Sequence, residues 1–174
     1  MNLPKRKSIR YKNFDYSRCG SYFITISTKN REYLFWDMKK VYQTKQSNEL
    51  EHIINAEFLP LNYVGRIVEK HLMVWQNIYE NVNIENFVIM PNHIHLIVSI
   101  FDNEIKSENP NLSRMVAQFK AQVTKELGES VWQKSYYDHI IANEKDFNNC
   151  FDYIEANPYI LEARILEQRK KNNV

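Results

Sequence analysis

The chain has 174 residues, 44% hydrophobic and 25% charged, with a formal net charge of +2. That composition suits one globular domain long enough to bury a core, and no apolar run reaches the ~20 residues that a bilayer-spanning helix needs. Three glycines exclude the Gly-rich phosphate loops of nucleotide-binding folds, and two cysteines, Cys19 and Cys150, make no disulfide framework and fit a reducing, cytoplasmic setting.

Taken in order, residues 1–19 read as a basic arm, in which Lys5, Arg6, Lys7 and Arg10 are candidate DNA contacts; basic ends can track a phosphate backbone or simply stay solvated. Tyr22 to Ser27 is rich in aromatic and β-branched residues and predicts a strand, with Tyr22, Ile24 and Ile26 on one face. Residues 29–60 form an excursion, with short strands expected at Tyr33 to Trp36 and Glu57 to Leu59 and an end at Pro60. Apolar residues at three- and four-residue steps from Val64 to Tyr79 predict a helix over 62–82, with His71 on its packed stripe.

The stretch FVIMPNHIHLIVSI, residues 87–100, follows as a strand pair or one bent strand, with Pro91-Asn92 turning the chain. Leu112 to Leu127 predicts a second helix, with Leu112, Met115, Val116, Phe119 and Val123 inward and Gly128 at its C-terminal cap. Lys120 lies on its basic outer face, as a DNA contact or a solvated charge. Trp132 to Ile141 reads as extended and carries His139, a DNA contact or a structural residue. Asn143 then caps a third helix with Phe147, Cys150, Phe151 and Ile154 buried, and Pro158 is expected to end it. A charged tail covers 161–174. This order predicts a single α+β domain over 1–174: an antiparallel sheet with helices packed on one face, ferredoxin-like or RRM-like.

Within this plan two places can carry chemistry. On a strand, residues two apart share a face, so His93 and His95 point the same way and offer half of a metal site, or else two histidines on a solvent face. The other histidines are scattered, so tetrahedral zinc is not evident, and Ile97 stands where a histidine-triad hydrolase would want a third imidazole. A hard cation taking two imidazoles, a side-chain oxygen and phosphate oxygens fits the pair. Tyr153 sits roughly 100° from the centre of the third helix's buried stripe, with Asn157 one turn on. The two can face the histidines, or serve as a core-edge cover and a helix cap.

The segments YFITISTKNREYLF, VIMPNHIHLIV, FKAQVTKEL, WQKSYYDHIIANEKDF and FDYIEANP, in this order and spacing, resemble the single-tyrosine HUH transposases, most of all their REP-associated branch. The resemblance implies the HUH nuclease fold. It implies a metal-dependent single-stranded DNA endonuclease and strand transferase, acting on hairpin-forming palindromes through a 5′-phosphotyrosine link. Carried over residue by residue, His93, His95 and Asn157 would hold Mg2+ or Mn2+ and Tyr153 would be the nucleophile, with Tyr136 and Tyr137 as competitors. The partner would be single-stranded or hairpin DNA, the protein a monomer or homodimer, and its place the bacterial cytoplasm at the nucleoid. A DNA-hairpin-binding protein without catalysis is the alternative.

Overall fold

Alternation of β-branched and aromatic residues produces a four-stranded sheet from β1 (Gly20–Ser27), β2 (Val82–Met90), β3 (His93–Ile100) and β4 (Tyr137–Ile140). The computed structural model describes residues 15–43, 59–75, 77–102 and 111–172, and the basic positions Lys5, Arg6, Lys7 and Arg10 lie outside them. Four helices complete this part of the chain: α1 (Met38–Gln43), α2 (Tyr63–Trp75), α3 (Leu112–Leu127) and α4 (Glu144–Asn172). The strands run in the order β2-β3-β1-β4, each antiparallel to its neighbour. With α2 between β1 and β2 and α3 between β3 and β4, this is the ferredoxin-like β-α-β-β-α-β succession.

The register places Tyr22, Ile24 and Ile26 opposite Val98, Leu96 and Ile94. All six are at most 1% exposed and form the centre of the core. Helices α2 and α3 cover this face. Their mutual contact runs through Trp75 and Phe119, whose rings stack 5.3 Å apart. The Tyr16 hydroxyl donates to buried Asp138 on β4 at 2.6 Å, and its carbonyl accepts from Leu112 N at the start of α3. His71 takes a boundary position, its Nε2 2.8 Å from Glu126 Oε2 of α3.

The arrangement with helices on one face holds for α2 and α3; α4 crosses the opposite face. There β3 is buried as well, through His95, Ile97 and Ser99. Three boundaries also differ from expectation. Helix α2 stops at Trp75, and Val82, expected as its last residue, opens β2. The ladder from Val82↔Ile100 to Met90↔His93 claims those residues, and Ile78, placed on the helical stripe, is 58% exposed. Helix α4 does not end at Pro158 but runs through it. An interior proline costs ~3 kcal/mol, and burial on both sides of it offsets that cost: Ile154, Pro158 and Ile165 all face inward. Phe151, expected on this stripe, is exposed instead. In the excursion, Trp36 forms a bridge with Leu61, Glu57 and Phe58 of the second expected strand lie outside the described residues, and α1 forms where no helix was foreseen.

Candidate active site

A rigid turn presents the two histidines. Pro91 and Asn92 join β2 to β3, and the segment after β1 bolts them down. The Pro91 carbonyl accepts from Leu34 N at 2.8 Å and Phe35 N at 3.0 Å, and the Asn92 carbonyl accepts from Thr28 N at 2.9 Å. The fully buried Thr28 hydroxyl reaches both the Asn92 and the Glu32 carbonyls. Trp36 Nε1 donates to Ile89 O at 2.7 Å, fastening the end of β2. The beginning of the excursion is therefore the support of the histidine turn.

His93 and His95 project from the α4 face with ring centroids 4.5 Å apart. Each ring is held through Nδ1. His93 Nδ1 lies 2.6 Å from Asn92 Oδ1, while Asn92 Nδ2 donates to the Arg31 carbonyl, so Oδ1 accepts and His93 carries its proton on Nδ1. His95 Nδ1 shares a 2.8 Å hydrogen bond with Thr25 Oγ1 on β1. Nε2 of each ring takes no hydrogen bond from the described residues. Burial, then the nearby Arg31 charge, pushes His93 down to about 4; burial, then His93, pushes His95 down to about 3. Both are thus neutral imidazoles at neutral pH, the form that ligates a metal.

Helix α4 brings the other two candidates to the same place. The Tyr153 ring lies 5.3 Å from the His95 ring and 5.9 Å from Phe23, which itself stacks on His95 at 5.2 Å. Tyr153 remains 47% exposed, open to a large substrate. One turn on, Asn157 donates from Nδ2 to the Tyr153 carbonyl at 2.7 Å and lines a 220 Å³ cavity together with His93. Asn157 is therefore an interior helix residue, not a cap. Two neutral imidazoles and an amide oxygen make a nitrogen-oxygen donor set that fits a divalent cation completed by phosphate oxygens.

The remaining candidates are placed elsewhere. Tyr136 is buried, its hydroxyl 3.1 Å from Ser113 Oγ. Tyr137 is 52% exposed opposite Thr25 and lines a second cavity, of 320 Å³ along β1 and β4, which Arg31 also borders. His139 Nε2 lies 2.9 Å from Asp146 Oδ2, which also accepts from Ala142 N, so His139 ties β4 to the first turn of α4. Together with Cys150 these two bring N, O and S ligand atoms within 4.8 Å of one another, a second set able to hold a metal, though here the imidazole is already bonded to the carboxylate. The Lys120 ammonium donates to the carbonyls of Gln133 and Ser135 and so braces that loop. Sequence reasoning missed Thr25, which holds His95, and Arg31 and Arg164, which line the 220 Å³ cavity with His93 and Asn157. Asn92 stood beside the histidines as a turn residue, but its hydrogen bonds have no local signature.

Residues 63–157 match the family described as Transposase IS200 like. A REP-associated tyrosine transposase of Escherichia coli K12 is 30% identical over 144 residues, covering 82% of this chain and 68% of that protein. An uncharacterized Haemophilus influenzae protein is 34% identical, with 92% of each chain covered. Among solved structures, a REP-associated tyrosine transposase bound to a REP hairpin shares the fold. It gives a TM-score of 0.57 at 21% identity, over 86% of this chain and 72% of that one.

Proposed function

This chain belongs to the IS200-like transposases, and we propose that it acts as a metal-dependent single-stranded DNA endonuclease and strand transferase on hairpin-forming DNA. The observation that carries this reading is the placement of the Tyr153 ring 5.3 Å from His95, within the same cluster as the His93–His95 pair. The fold neighbour bound to a REP hairpin supports hairpin DNA as the partner.

His93, His95 and Asn157 would hold Mg2+ or Mn2+, which when bound offsets charge on the scissile phosphate. The protein's own groups do the rest. The Tyr153 oxygen attacks phosphorus, forming the Oη–P bond as the P–O3′ bond breaks, and the phenolic proton is balanced by the one that the departing 3′-hydroxyl takes up. The 5′-phosphotyrosine keeps the energy of the phosphodiester. A second 3′-hydroxyl can therefore displace Tyr153 and join two strands without an external energy source. An unpaired strand is required because a paired one cannot bend its phosphate between the helix and the sheet. No helix among the described residues is long and apolar enough to cross a membrane, and action in the cytoplasm at the nucleoid suits a DNA substrate.

The test combines purified protein, Mn2+ and labelled single-stranded hairpin oligonucleotides on a denaturing gel, beside Tyr153→Phe. A covalent band in the wild type that disappears in the variant is the expected result. Hairpin binding on a native gel, with no covalent band under any metal, overturns the enzymatic reading in favour of a hairpin-binding protein.

A further inference from the structure

The wall of the 220 Å³ cavity beside His93 includes Arg31, Tyr33 and Arg164 and no carboxylate. Neither arginine takes part in an ion pair among the described residues. Arg31 comes from the turn after β1 and Arg164 from α4, so two elements distant in sequence bring two cations to one opening. The Arg31 charge is felt at His93.

The backbone beneath Arg31 is unusual. Its φ is 57°, in the left-handed region that a side chain bearing Cβ rarely adopts, and Asn30 before it has φ 54°. Such a conformation persists only where its surroundings hold it. Here the hold comes from the histidine turn itself: Asn92 Nδ2 donates to the Arg31 carbonyl at 3.1 Å and Thr28 O accepts from Arg31 N at 3.2 Å. One amide, Asn92, thus fixes both the His93 ring and the Arg31 backbone. A glycine would meet the backbone requirement without strain, so an arginine here points to use of its side chain. Beside it Tyr33 leaves 53% of its surface exposed, a face on which an unpaired base can stack.

We propose that Arg31 and Arg164 form a phosphate cradle for the single-stranded DNA backbone next to the scissile position, with Tyr33 stacking the attached base. This rests on the proposed DNA substrate but not on catalysis. The cradle orders the strand so that the next phosphate along meets His93, His95 and Tyr153. Electrostatic attraction to phosphate is independent of sequence, so the site can be probed without knowing the DNA that the protein recognises.

The experiment measures the affinity of the full chain for a dT20 oligonucleotide across a salt series. The variants are Arg31→Gln, Arg164→Gln, their double variant and Tyr33→Ala, with Lys125→Gln on α3 as the control. Removing one cation that neutralises a phosphate of a single strand lowers the slope of log K against log salt by ~0.7, so the double variant should reduce it by about 1.4 and Lys125→Gln should leave it unchanged. Tyr33→Ala should weaken binding by ~5–150-fold with its slope unchanged, because stacking carries no charge. Arg31→Gly suits the backbone and removes the side chain with its charge; it should remain folded by circular dichroism and still show its share of the slope reduction. A double variant with the wild-type slope overturns the cradle, as does an Arg31→Gly variant that binds as wild type. Wild-type protein that forms no covalent adduct, yet shows these slopes, would overturn catalysis and leave the cradle standing.

Discussion

At the scale of single residues, Thr25 and Asn92 decide which nitrogen each histidine offers. Both occupy Nδ1 and leave Nε2 outward. Groups of this kind commonly contribute ~10–100-fold to metal affinity, so Thr25→Val and Asn92→Ala should each weaken Mn2+ binding by about that factor, read by calorimetric titration, with the fold intact by circular dichroism. The buried imidazoles also set a pH dependence. His93 and His95 titrate near 4 and 3 in the folded protein, against ~6.5 in an unfolded chain. Between those limits the unfolded chain binds more protons, so stability rises with pH through that window and is lost as pH falls from ~6.5 toward 3. The melting temperature should drop over this range in the wild type, and a His93→Gln/His95→Gln variant should drop less. An identical acid limb in both would refute the assignment. The histidines were legible from their alternation on a strand. Thr25 was not, because its partner lies 70 residues away and only the strand register reveals it.

At the scale of elements, local signals succeeded where the chain punctuates itself. Helix α3 begins after Asn111, whose side chain accepts from Ser113 N and Arg114 N, and ends at Gly128 with φ 78°. Its boundaries and its five inward residues agree with the sequence reading because cap, stripe and left-handed stop all fall within one short stretch. Helix α2 was overextended because no glycine or proline separates it from β2, and pairing with β3 settled the matter. Pro158 misled in the opposite sense, since the burial that carries α4 past it is tertiary. The α2 start holds a further constraint. Gly65 packs so closely that an added Cβ would sit 2.2 Å from the Phe35 carbonyl oxygen. That carbonyl cannot retreat freely, because it accepts from Asn62 N, and Phe35 N donates to Pro91 O. Gly65→Ala should therefore cost ~1–3 kcal/mol or more, seen as a lower urea midpoint at constant m-value. Because the strain passes through Phe35 to the Pro91–Asn92 turn, it should also weaken Mn2+ binding. Full stability in Gly65→Ala would show that this contact relaxes at no cost.

At the scale of the whole molecule, the strand order β2-β3-β1-β4 does what no local stretch can, placing Thr25 beside His95 and opening the α4 face to Tyr153. The fold class was legible from the succession of elements, whereas the side of the sheet taken by α4 was not, since it depends on a central strand buried on both faces. That side determines how the proposed active site is assembled. Tyr153 reaches His95 of its own chain, and Asn86 Nδ2 on β2 donates to Glu155 Oε1 on α4 at 2.8 Å beside it. Docked in this way, the proposed nucleophile would act on a phosphate held by the same polypeptide. Mixing Tyr153→Phe with a His93→Ala/His95→Ala variant should then restore no covalent adduct on a labelled hairpin, at any ratio or concentration. Exchange of α4 between two copies would instead build one intact site from two defective chains and recover up to about a quarter of the activity for random pairing. Recovery would mean that the cis packing of α4 gives way to a partner when DNA is present. If the helix stays in cis, one chain carries every group that the proposed cleavage requires, and adduct formation per chain should not change with protein concentration while DNA is in saturating excess.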